Sequence, residues 1–194
     1  MAASDSDVPS KSFDVLRRLK GKEILKAVRF GWWPAGEFIN LFKIKDSELF
    51  SFTEGTLLIY LGSGEVAGFT SADSLNSLII WMEREGEEKG EAELEIERNE
   101  EFFPVFHDDE RFSQGVWREI SGKKIERVFL IKRKPIDVMY EDLPNEVGLM
   151  FVMDNREQVF LCHGLCSKPN DFSVCGYEDL RVDVIGELSF LEVF

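Results

Sequence analysis

The chain repeats itself, and this limits the folds open to it more than any other feature. Residues 15–25 read VLRRLKGKEIL and residues 116–126 read VWREISGKKIE. At an offset of 101, Val15, Arg17, Gly21, Lys22 and Ile24 recur as Val116, Arg118, Gly122, Lys123 and Ile125. Ordinary composition gives about one identity in such a window by chance. A second match follows in the same order. Leu57 to Leu61 with the turn Gly62-Ser63-Gly64-Glu65 resembles Leu149 to Met153 with the turn Asp154-Asn155-Arg156-Glu157. In each case an apolar run of strand length meets turn-forming residues and a second apolar run, the pattern of a β-hairpin. Duplication of one β-rich unit is the economical reading.

The expected fold class is therefore α+β: two tandem copies of a short helix followed by an antiparallel β-meander. In the first copy Ser12 caps the helix, Val15, Leu16 and Leu19 form its buried stripe, and Gly21 closes it. In the second, Phe112, Val116, Trp117 and Ile120 form the stripe of a helix over 110–120, closed by Gly122. Strands are expected at 23–30, 38–44, 48–52, 56–61, 65–70 and 76–83, then at 124–132, 136–140, 147–153, 158–163 and 181–193. This divides the chain into a disordered N-terminus (1–11), a first repeat (12–82), an acidic linker or edge strand (83–101) and a second repeat (102–194).

The linker holds ten glutamates against Arg84, Lys89 and Arg98. Within it Glu91 to Glu97 alternates acid with Ala, Leu and Ile, which reads as a half-buried strand. The whole chain carries a net charge of −14. That balance disfavours a nucleic-acid partner, whose phosphates it would repel, and suits a basic protein. No apolar run reaches the roughly 18 residues of a membrane helix. Asp5 and Asp7 stand where a secretory signal would place lysines. With an odd number of cysteines, three in all, the expected compartment is the reducing cytoplasm, with no membrane association.

Chemistry leaves few traces. There is no phosphate-cradling GxxxxGK[ST], Gly62-Ser63-Gly64 lacks the third glycine of a dinucleotide fingerprint, and no G-x-S-x-G elbow occurs. Histidine is limited to His107 and His163. The densest chemical candidate is Cys162-His163-Gly164-Leu165-Cys166 with Cys175 beyond it, in principle a three-cysteine, one-histidine zinc site. A C-x3-C spacing beside a ligand histidine departs from the usual C-x2-C knuckle, so no cofactor is expected. The acids of His107-Asp108-Asp109-Glu110 read first as a favourable helix start.

The first copy spends 36 residues from Gly21 to Leu57, the second only 27 from Gly122 to Leu149. The longer stretch contains Trp32 and Trp33 between Gly31 and Pro34. Tryptophan dominates binding hot spots, so this pair is a candidate anchor. The expected contact residues are Trp32, Trp33, Glu85, Glu87, Glu88, Glu91, Asp108 and Asp109.

An acidic chain of duplicated β-rich units carrying the phrases GFTSADSLNSLIIWMERE and CHGLCSKPNDFSV resembles bacterial immunity proteins against polymorphic toxins. The resemblance implies stoichiometric inhibition of a toxin domain, often a basic nuclease, by occlusion of its active site. The expectation is a binding and inhibitory protein with no catalytic residue. Its rivals are a metal- or thiol-dependent enzyme built on the Cys162–Cys175 region and a non-inhibitory scaffold or regulatory module.

Overall fold

The computed structural model describes residues 5–86, 88–99, 101–168 and 171–194. A six-residue helix, α1 (Phe13–Arg18), leads through Gly21 into β1 (Ile24–Gly31). Two helices follow, α2 (Ala35–Phe42) and α3 (Leu49–Phe52), then the meander β2 (Leu57–Leu61), β3 (Val66–Ala72) and β4 (Ser77–Arg84). Helix α4 (Glu91–Arg98) precedes β5 (Phe103–Phe106), and α5 (Gly115–Arg118) precedes β6 (Ile125–Arg133). The second meander continues through β7 (Gly148–Met153), β8 (Gln158–His163) and β9 (Phe172–Cys175), and α6 (Val182–Ile185) and β10 (Leu188–Glu192) end the chain. The class is α+β.

The strands form two antiparallel five-stranded sheets, ordered β4-β3-β2-β1-β5 and β10-β6-β7-β8-β9. In both, a meander grows from one side of its first strand and a late strand covers the other. The first strands share a further irregularity. β1 slips register between Ile24 and Lys26 against β2, and β6 slips between Ile125 and Arg127 against β7. A bulge there lets residues on either side keep their apolar faces inward.

The sheets face each other across one continuous core. Leu57, Ile59, Ala67, Phe69, Leu78 and Ile80 from the first pack with Val128, Leu130, Leu149 and Phe151 from the second. Phe69 and Phe151 meet edge to face at 6.0 Å. The outer face of the first sheet carries a smaller cluster, Val28, Phe30, Leu58 and Val66, against Tyr60 and Phe102.

Several sequence expectations change. Residues 38–42 belong to helix α2, which Lys43 closes in the left-handed region, because Phe38 and Phe42 meet at helical spacing, 4.4 Å apart, while Leu41 faces water. Residues 48–52 form a turn and α3, and 136–140 hold a turn at Val138–Tyr140. The strand expected at 181–193 is confined to 188–192, after α6. The helix expected over 110–120 shortens to 115–118. Residues 91–97 are helical rather than extended: Glu, Ala and Leu favour helices, and the Glu93 N–H donates to Glu83 Oε1 at 3.0 Å. Ser12 does not cap α1; its hydroxyl donates to the Ser6 carbonyl. Residues 103–106, read with the second repeat, pair with β1 of the first sheet. Pro104 is tolerated there because β5 is an edge. Finally, of the segment 1–11 expected to be disordered, residues 1–4 lie outside the described residues, and part of the remainder is anchored. Val8 is buried against Ala72 and Ile79, and the Ser10 N–H donates to Glu146 Oε2 at 2.7 Å.

Candidate functional site

Trp32 and Trp33 follow directly from β1, between a closely packed glycine and a proline. Gly31 lies so close to Thr53 that a Cβ there would meet its Oγ1 at 2.7 Å. Pro34 stands at the start of α2, where its fixed φ suits a helix entry. Trp32 stacks on Phe102 at 4.3 Å yet remains 53% exposed, and Trp33 is 43% exposed. Leu41 on α2 is a further exposed apolar side chain that the sequence reading did not single out. Its helical phase relative to Phe38 and Phe42 was the available signal. At the 101-residue offset the two tryptophans correspond to Arg133 and Lys134, so the aromatic corner is confined to one half.

The acids expected beside it are spread more widely. Glu85 lies beyond β4 and pairs with Arg18 at 2.6 Å. β4 and β5 are opposite edges of the sheet, four strand spacings or about 19 Å apart. Glu88 and Glu91 are exposed, and Glu87 lies outside the described residues. Asp108 and Asp109 follow the end of β5 remote from Phe103, which is the residue paired with Gly31. Asp108 is exposed, whereas Asp109 is half-buried and accepts from the N–H groups of Arg111 and Phe112. The predicted residues therefore do not form one patch. Nearer in sequence to the tryptophans are Glu37 on α2 and Glu101 beside Phe102.

The three cysteines, by contrast, converge. Their Sγ atoms all lie within 4.8 Å of one another, with Cys166 to Cys175 at 3.1 Å and Cys162 to Cys175 at 3.9 Å. β8 and β9 pair Phe160 with Cys175 and Cys162 with Ser173, which makes Cys162 and Cys175 diagonal neighbours on one face. Gly164, at φ +63, turns the chain so that Cys166 returns beside them and bridges to Leu180. His163 is not part of this group. Successive strand residues point to opposite faces, and its Nδ1 lies 4.0 Å from Asp73. Burial lowers the pKa of His163 and of His107 alike. His107 Nδ1 faces the Ala27 N–H at 3.2 Å.

Beside the thiols lies Arg29, which the sequence reading missed. Its phase with Ala27 on β1 directs it into the core, where its side chain is fully buried. The guanidinium donates to the carbonyls of Phe50, Ser51, Gly55 and Phe172 at 2.8–3.3 Å, and it lies 4.8 Å from the Phe172 ring centre. Burial pulls its pKa down to about 9, which leaves it charged at neutral pH. The thiols share charge unequally. Hydrogen bonds from Cys162 and Cys175, with help from Arg29, bring Cys166 down to about 4. Burial pushes Cys162 up, and its two sulfur neighbours push Cys175 up. The group can hold a soft cation or carry a single stabilised thiolate. No helix among the described residues is long and apolar enough to cross a membrane. No protein-family model, curated protein or solved structure matches this chain.

Proposed function

We propose that this protein acts by binding a basic protein partner, in the manner of an immunity protein that occludes a toxin domain. The observation that carries the reading is the exposure of two adjacent large aromatics, Trp32 and Trp33, at the surface. Large exposed aromatics bury much apolar area for few rotatable bonds on association and make strong anchors. The net charge of −14 supports a cationic partner, because complementary potentials speed encounter. Glu101, next to the Phe102 ring that Trp32 contacts, adds an acid beside the pair. Glu85, Glu88, Glu91, Asp108 and Asp109 supply long-range attraction from flanking positions rather than direct contact.

The test is affinity capture on the immobilised chain from an extract of its native host, followed by a salt gradient. The expected result is retention of one cationic protein, released as salt screens the attraction beyond about 10 Å. Retention of no cationic protein would remove the proposal. If a partner is retained, reversing Glu85 and Glu88 to lysine is expected to slow association several-fold with little change in dissociation.

A further inference from the structure

We propose that Cys162, Cys166 and Cys175 bind one zinc ion, with Arg29 as the buried counter-charge that makes the site electrically neutral. Zinc–thiolate bonds of about 2.3 Å at tetrahedral angles place sulfurs about 3.8 Å apart. The separations here, 3.1 Å and 3.9 Å with all three atoms inside 4.8 Å, bracket that value. The pairing of β8 with β9 and the Gly164 turn hold the sulfurs together, so an ion would meet a site already formed.

Arg29 is the second, independent observation. It is fully buried and its hydrogen-bond partners are four neutral carbonyls. An isolated buried charge is costly unless compensated. Three thiolates around a divalent ion carry one net negative charge, which this guanidinium cancels. A disulfide between Cys166 and Cys175 would instead consume the Cys166 thiolate and leave Arg29 without a charged partner. The matching position at the 101-residue offset is Leu130, on the sheet that itself carries the thiols, whereas Arg29 reaches them from β1 of the facing sheet and donates to the Phe172 carbonyl on β9. Arginine thus stands in place of a core leucine on the strand that faces the thiols across the core. Cys166, 7% exposed against none for the other two, leaves the fourth tetrahedral position its most accessible side, where a water completes the shell.

The site is read with cobalt(II) and zinc alone, independently of any partner. Reduced, metal-free full-length protein is titrated with cobalt(II), then zinc, with unfolding temperature recorded throughout. One equivalent of cobalt should give thiolate-to-metal charge transfer and the intense visible bands of a tetrahedral site, displaced by zinc. Saturating zinc should raise the Tm by about 5 °C or more. Cys166→Ser and Cys175→Ser should each weaken zinc binding at least about 100-fold, whereas His163→Ala should leave it within about twofold. Absence of the charge-transfer band in the wild-type protein would overturn the proposal even if the serine variants fail to fold. Full affinity in Cys166→Ser, or loss of binding in His163→Ala, would overturn the ligand set.

Discussion

Gly21 donates its backbone N–H to the carbonyl of Ile125 at 2.8 Å, and Gly122 returns the same bond to Ile24 at 2.8 Å. Ile24 in turn donates to Lys123, and Ile125 to Lys22, at 2.9 Å and 3.1 Å. Each bond is the other's image under the 101-residue offset. Glu23 and Lys124 form the antiparallel bridge between them. The two halves therefore meet through the segments whose sequences match best, and the conserved element of the pattern is a glycine with positive φ, +69 at Gly21 and +81 at Gly122.

A Cβ on either glycine would touch nothing within 4 Å, so substitution costs only backbone strain. Gly21→Ala and Gly122→Ala are each expected to destabilise by about 1 kcal/mol, lowering the Tm by about 2–4 °C. Gly90→Ala should cost more, since its Cβ would meet the Glu83 carbonyl oxygen at 1.9 Å. Thermal unfolding of the three variants checks the order.

Arg29 ties α3, the Gly55 loop and β9 to β1 through its four carbonyl acceptors. Arg29→Ala strands those acceptors and opens a cavity, with an expected loss of about 3 kcal/mol or more. Arg29→Lys keeps the charge but not the fork, so it should fall between the two. Denaturant unfolding at fixed metal concentration measures both.

Stability should also fall in acid through Glu65. Its carboxylate is held by the Ser63 hydroxyl, then by Arg18 and Lys22, which draw its pKa from 4.5 to about 2. A carboxylate whose folded pKa is depressed stabilises above the unfolded pKa and loses that contribution as pH falls through the folded one. Glu65→Gln should therefore lower the Tm at pH 7, and the gap from wild type should close between about pH 4.5 and pH 2. Parallel melts across that range provide the check.

The hairpins β2–β3 and β7–β8 were legible because Gly62-Ser63-Gly64 and Asp154-Asn155-Arg156 mark their turns and apolar runs flank them. Helix α2 was not, since FINLFKI has the length and aromatic content of a strand and only the Phe38–Phe42 spacing betrays the helix. β5 and β9 are four-residue edge strands whose existence depends on the neighbours they pair with. The thiol group illustrates the same limit. Cys162 and Cys166 sit near each other in sequence, but Cys175 joins them only through the β8–β9 register, and His163, adjacent in sequence, is turned away by strand alternation. Arg29 was hidden because its inward phase follows from the bulge after Ile24, a feature of pairing rather than of composition.

The proposed binding role requires Trp32 and Trp33 to be surface anchors rather than fold determinants. The decisive measurement compares the wild-type chain with the Trp32→Ala, Trp33→Ala double variant, recording Tm and affinity for the captured cationic partner side by side. A Tm shift of no more than about 3 °C is expected, from loss of the Trp32–Phe102 ring contact, together with an affinity loss of about 100-fold or more. Undiminished affinity in a folded double variant would contradict it.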